Sequence, residues 1–226
     1  MAVSFRICGR PAPPTLAREA PEIGEDTSCV GKPLAPEEQE LLGACAKDAP
    51  KLVEDTVPGS ITLGELVRVL RGLLREGISV RDLRSILEAV ADAAPRSKDT
   101  HYLVEQVRRR LARQITSRVA EGGVVYSMTI DRHLEDTLRQ CLGHNEGEPT
   151  LAPDIDVARR LIATLESKAA TLAASGRSAV ILTSPDLRRP LFDFASRFVP
   201  DLFVVSAREL APGTTIEPAG TLSLTS

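Results

Sequence analysis

The feature that most constrains the fold is the stretch from Thr62 to Pro95, TLGELVRVLRGLLREGISVRDLRSILEAVADAAP, where apolar residues recur at helical spacing on both sides of one glycine. Thr62 with Glu65 forms a T-x-x-E capping box, in which each side chain satisfies a backbone N–H that a helix start leaves orphaned. Leu66, Val67, Val69, Leu70, Leu73 and Leu74 then supply a broad apolar face, and Gly77 offers the left-handed residue on which helices stop. Ser79 with Asp82 reads as a second cap of S-x-x-D type, after which Leu83, Ile86, Leu87, Val90 and Ala94 keep the spacing until Pro95. The two helices turn back around Gly77. A third begins near Asp99 and runs through Leu103, Val104, Val107, Leu111 and Ile115, with Arg108, Arg109, Arg110 and Arg113 on its remaining circumference. Upstream, Glu37, Glu38 and Glu40 suit the positive end of a helix dipole, Leu41, Leu42 and Cys45 share a face, and Pro50 ends or kinks the element.

After Gly122 and Gly123 the pattern changes from period 3.6 to period 2. VVYSMTI reads as a strand, DRHLEDTLRQCL as a helix and the polar run from Gly143 to Pro149 as a loop. A long helix from about Asp154 to Ala174 follows, then the strand AVILTS, a helix starting near Asp186, the strand LFVVSA and a final strand pair around TTIEPAGTLSL. The expected fold is therefore α+β and helix-rich, a helical subdomain followed by a small α/β subdomain with a mixed sheet. The expected divisions are 1–36 as an arm or linker, 37–120 as the helical subdomain and 121–226 as the α/β subdomain. Within the arm, Val3, Phe5 and Ile7 alternate like a strand, which leaves open an isolated edge strand or the end of an upstream subdomain.

Composition excludes several classes. A net charge of −3 argues against a chain whose overall field holds nucleic acid or an anionic membrane. With 3% aromatic residues and no Trp, base-stacking platforms are hard to assemble, which points to other proteins as ligands. The cysteines, Cys8, Cys29, Cys45 and Cys141, form no C-x-x-C pair, as expected of reduced thiols in a cytosolic compartment. No stretch nears the ~18 apolar residues of a membrane span. His101, His133 and His144, at two helix starts and a loop, fall in no sequence pattern of general-base or metal chemistry. No serine sits in a G-x-S-x-G or S-x-x-K setting, and no glycine pattern makes a phosphate loop. No enzyme, metal or cofactor is expected.

The charges of the central stretch need another explanation. Arg81, Asp82 and Arg84 fall in the first turn of their helix, where the dipole favours Asp82 and disfavours the arginines. Arg84 can pair weakly with Glu88 at i,i+4. The other answer is a neighbour that meets these side chains from outside, a setting in which Arg is enriched. The Arg108–Arg113 face likewise fits phosphates or a protein interface.

These residues carry a resemblance. LVEDTVPGSITLGELVRVLRGLLREGISVRDLRSILEAVADAA is similar to the cytoplasmic region of the type III secretion export-gate family, also called FHIPEP, through its entry at Pro50 to Pro58, the helix end at Leu73 to Gly77 and the helix start at Val80 to Asp82. LVEQVRRRLARQI, ILTSPDLRRPLFDF and LFVVSARELAPG resemble later parts of the same region. Where the family's last strand runs into an LSYNEI-like sequence, Ser206 and Glu209 are kept, while Ala207 and Arg208 depart.

The resemblance implies a non-enzymatic scaffold at the cytoplasmic face of the bacterial inner membrane, held there by a membrane part absent from this chain. It implies a homo-oligomeric ring, nonameric in the family, with an export stalk protein, chaperone–substrate complexes and the export ATPase complex as partners and no cofactor. Under this reading Arg81, Asp82, Arg84, Arg108, Arg109 and Arg113 serve protein interfaces. The alternative is a free-standing adaptor or a nucleic-acid-binding protein using the Arg108–Arg113 face.

Overall fold

The computed structural model describes residues 56–224 apart from 58, 146–147 and 200. Every described residue belongs to one compact unit of the chain. The expected arm, the helix after Pro36 and Cys8, Cys29 and Cys45 lie outside the described residues.

Helix α1 (Leu63–Arg75) starts on the predicted capping box, with the Thr62 N–H donating to Glu65 at 2.7 Å and the Glu65 N–H to the Thr62 hydroxyl at 3.3 Å. It ends as a Schellman motif: Gly77 adopts φ +71°, its N–H donates to Leu74 and the Ile78 N–H to Leu73, each at 3.0 Å. Helix α2 (Leu83–Ala93) is capped by Asp82, whose carboxylate accepts from the Ser85 N–H at 3.1 Å. The expected Ser79 cap is thus corrected by three residues. Ser79 instead accepts from the Arg81 N–H, so Arg81 lies ahead of the helix and only Arg84 is in its first turn. The shorter carboxylate of Asp82 sits where it reaches N3, and Ser79 is left to shape the turn before it.

The single helix expected from Asp99 to Ile115 is two, α3 (Thr100–Arg110) and α4 (Ala112–Val119), bent at Leu111. Hydrogen bonds from Leu111 to Val107 and from Ile115 to Leu111 run through the bend, so the apolar spacing survives it and hides it from the sequence. Helix α3 packs against both α1 and α2. At the α1–α3 approach, a Cβ on Gly72 would lie 2.9 Å from a Val104 methyl.

Strands β1 (Val124–Ile130), β4 (Val180–Thr183), β5 (Phe203–Ser206) and β6 (Thr215–Leu222) form a sheet in the order β5-β4-β1-β6, every pairing parallel. Between them lie α5 (Arg132–Gln140), α6 (Ile155–Ala174), α7 (Pro185–Ala195) and a 3-10 turn, Ala207–Glu209. Two expectations change. The final strand pair is one strand, β6, whose Pro218-Ala219-Gly220 reads like a turn but lies where the register with β1 shifts, between Ser127 and Met128. The polar loop from Gly143 to Pro149, His144 included, is an antiparallel ribbon of β2 (Leu142–Asn145) and β3 (Glu148–Leu151). Its apolar anchors, Leu142 paired with Leu151, sit at the far end, so the polar middle carries no strand signal.

The sheet divides two cores by alternation. Val125, Val180 and Val205 pack with the residues of α1 to α4, whereas Met128, Ile181, Val204 and Leu222 pack with α5, α6 and α7. Each fully buried Leu, Ile or Val is worth about 1.5–3 kcal/mol relative to exposure, so both faces of the sheet are committed to helices. Among the described residues, no helix is long and apolar enough to cross a membrane.

Candidate functional site

Where the helical layer meets the edge strand β5, charged side chains are buried together. Glu76 caps the C-terminus of α1, Glu105 and Arg108 project from α3, Arg188 and Arg189 from α7, and Glu209 ends the 3-10 turn. Arg108 is 2% exposed; its Nη1 donates to Glu76 at 2.6 Å, its Nε to Glu209 and its Nη2 to the Val204 carbonyl at 3.3 Å. Arg188, 0% exposed, donates to Glu76 and through Nε to Glu105 at 3.1 Å, with a second bond from Nη2 to Glu105. Arg189 donates to Glu76 at 3.3 Å and to Asp193 at 2.8 Å, and Asp193 also faces Arg75 at 3.1 Å. Three carboxylates thus face three guanidiniums, with Glu76, Glu209, Arg108 and Arg188 buried and Glu105 and Arg189 half-buried at the margin, and the chain of pairs reaches solvent at Arg75.

Burial pushes the Glu105 carboxyl above the usual carboxylate range, against the pull of the Arg188 guanidinium. Burial alone would lower Arg188, but the carboxylates of Glu76, Glu105 and Glu209 outweigh it and hold the guanidinium charged well above its usual value. A network of this kind costs desolvation on assembly and is damaging to break, because removing one partner strands a buried charge. It ties α1 and α3 of the helical layer to α7 and the 3-10 turn beside the sheet.

Arg108 therefore leaves the surface set in which the sequence placed it: it is interior, and the Arg108–Arg113 face begins at Arg109. The nucleic-acid alternative loses its first contact in the same step. Sequence reasoning missed Glu76, Glu105, Arg188, Arg189 and Glu209 and misplaced Arg108, although Arg108 and Arg188 each carried a signal. Arg108 falls in the apolar stripe of Val104, Val107 and Leu111, and Arg188 in that of Leu187, Leu191, Phe192 and Ala195. An arginine in such a stripe needs buried carboxylates. Ser206 and Glu209, the two positions kept in the family-like ending, form the capping box of the 3-10 turn, with the Ser206 N–H donating to Glu209 at 2.8 Å. Ala207 and Arg208, which depart, are exposed.

The other site residues lie on the outside of the helical layer. Arg81, Asp82, Arg84, Arg109 and Arg113 are exposed. Arg84 donates to Glu88 at 3.1 Å and Arg110 to the other oxygen of Glu88 at 2.9 Å, which brings α2 and α3 together. Bonds from Arg110 and Arg84 hold the Glu88 carboxyl below its ordinary range. Gln114 donates to the Ser79 carbonyl at 2.9 Å, which sets the turn bearing Arg81 beside the first turn of α4. The outer side of these helices thus gathers Arg81, Arg84, Arg109, Arg110 and Arg113, all exposed. Among the described residues, no group of three or more His, Cys, Asp or Glu could hold a metal ion, and His101, His133 and His144 lie apart on α3, α5 and β2.

A parallel sheet with helices on both faces, preceded by a layer of four helices, is an architecture shared with known proteins. The model of the FHIPEP family matches residues 34–215, and the chain belongs to that family. It is 38% identical over 188 residues to the flagellar biosynthesis protein FlhA of Escherichia coli, covering 82% of this chain and 26% of that protein. It is 30% identical over 186 residues to the invasion protein InvA of Salmonella typhimurium, covering 82% and 27%. The chain thus spans about a quarter of the length of these relatives. Its fold matches the CdsV protein of Chlamydia pneumoniae at a TM-score of 0.74 and 27% identity, over 83% of this chain and 54% of that one. It matches a nonameric EPEC SctV-C at 0.73 and 26%, over 82% and 56%.

Proposed function

We propose that this chain is the C-terminal cytoplasmic part of a type III protein export gate, a non-enzymatic scaffold that self-associates and docks other export components. The observation that carries the reading is the match over most of the chain to a family whose members include a flagellar biosynthesis protein and an invasion protein, together with a fold shared with a nonameric assembly. In this reading 1–36 is an arm, 37–120 the helical subdomain and 121–226 the α/β subdomain, at the cytoplasmic face of the inner membrane. Copies meet through the exposed Arg81, Asp82, Arg84, Arg109 and Arg113. Partners of a second kind, an export stalk, chaperone–substrate complexes and the export ATPase complex, dock on the assembly; a CdsV and CdsO complex with this fold, at a TM-score of 0.75, supports docking of that sort.

The test is the solution mass by light scattering across a concentration series at two salt levels, for wild type and Arg81→Glu. Arg81 lies outside α2, so its reversal leaves helical content unchanged; reversing Asp82 would also remove a cap worth about 1 kcal/mol. Reversible assembly weakened by Arg81→Glu is the expected result. Equal assembly by both proteins would remove Arg81 from the interface, and a monomer at every concentration would favour a free-standing adaptor.

A further inference from the structure

We propose that the exposed guanidiniums of Arg81, Arg84, Arg109, Arg110 and Arg113 form a docking face for an acidic polypeptide segment, and that Glu88 is the internal counterion that sets how tightly the face binds. The proposal deepens the export-gate reading and rests on it only for the premise that this face is a contact surface. Three segments are held together here, α2 to α3 through the shared carboxylate of Glu88 and the Ser79–Asp82 turn to α4 through Gln114. Arg109 and Arg113 are spaced by four residues across the bend at Leu111, and both are exposed.

Five guanidiniums on this face meet three carboxylates, the third being exposed Asp92, one turn beyond Glu88 on α2. Asp82 is engaged by the Ser85 N–H, and Glu88 is shared between Arg84 and Arg110. An excess of two positive charges remains on a chain whose net charge is −3, so the cationic character is local to the face. Arg109 reaches only Gln106, at 3.5 Å, and Arg81 and Arg113 have no ion pair among the described residues.

Guanidinium forks match carboxylates bidentately, and a peptide with spaced acidic side chains can engage several at once. Neither 79–88 nor 106–118 contains an aromatic residue on which a base could stack, which favours a polypeptide over a single-stranded nucleic acid. Glu88 occupies the place an incoming carboxylate would take. Being held below the ordinary carboxylate range, it stays ionised and competes throughout the neutral range.

The experiment uses the full chain and fluorescence anisotropy with three labelled probes: a peptide of alternating glutamate and glycine, its lysine–glycine counterpart and a DNA duplex of random sequence. The acidic peptide should bind, more weakly as salt rises. Arg84→Glu and Arg113→Glu should each weaken it about fivefold, while Glu88→Gln tightens it by about the same factor. Arg159→Glu, on α6, should leave it unchanged. Arg113→Glu breaks no internal pair and keeps the test decisive if Arg84→Glu lowers helical content. Unchanged affinity in both reversals or in Glu88→Gln, or tighter binding of the duplex than of the acidic peptide at equal salt, overturns the proposal. Light scattering on the same samples separates the two readings: a chain that binds the peptide without assembling at any concentration sinks the assembly alone, and a chain that ignores the peptide at concentrations where it is monomeric sinks this proposal alone.

Discussion

Arg108 and its neighbours Arg109 and Arg113 are one residue type in one run of sequence, yet their environments differ completely. Arg108→Met leaves Glu76 and Glu209 with a missing counterion in the interior, and unfolding in urea should show a loss of about 3–5 kcal/mol. Arg109→Met and Arg113→Met should stay within about 0.5 kcal/mol of wild type. A comparable loss at all three positions would mean that the network does not hold the seam. Glu105 makes a prediction of the opposite kind. Its carboxyl is raised in the folded protein, so between its ordinary value and its folded one the native state keeps a proton that the unfolded chain releases. Its contribution to stability therefore falls as pH rises across that window. Urea midpoints measured through the mildly acidic range should show this downward slope removed in Glu105→Gln relative to wild type; identical slopes would contradict it.

At the scale of elements, helix α1 contains two glycines that the same substitution should treat differently. Nothing lies within 4 Å of a Cβ built on Gly64, so Gly64→Ala should stabilise by about 0.5–1 kcal/mol through backbone entropy alone. At Gly72 the same methyl meets a short, stiff Val104 side chain at 2.9 Å, and overpacking of about 1–3 kcal/mol offsets or exceeds that gain. Thermal melts of the two variants decide it, and a stabilised Gly72→Ala would mean that α1 and α3 can move apart freely. The sequence made most of these elements legible because their signals are local: the Thr62 cap, the Gly77 stop and the apolar spacing of α2 each sit within a turn of what they specify. It misled where the determinant is remote. Pro218 and Gly220 look like a turn because nothing nearby tells that β1 pairs along the whole of β6, and the β2–β3 ribbon is anchored by Leu142 and Leu151 rather than by its polar middle. The bend at Leu111 keeps its hydrogen bonds and so leaves no mark in the pattern.

Across the whole molecule, the helical layer and the sheet are joined in two ways, through the apolar contacts of Val125, Val180 and Val205 and through the arginine–glutamate network beside β5. The first is readable as alternation; the second unites α1 and α3 with each other and with α7 and the 3-10 turn across 32 to 113 positions, a separation no local pattern encodes. The exposed face was legible as an excess of arginine but its inner member was not, because burial of Arg108 is decided by Glu76 and Glu209, which lie far away in sequence. The ends of the sheet carry a further consequence. On β5 the Val204 carbonyl is occupied by Arg108, and on β6 the opposite margin carries Pro218 beside a register shift. Both margins are thereby poor templates for an added strand. Copies held side by side at high local concentration, as the proposed assembly requires, are thus discouraged from fusing their sheets into fibrillar aggregates, and the same guanidinium that locks the layers together also helps keep crowded neighbours separate.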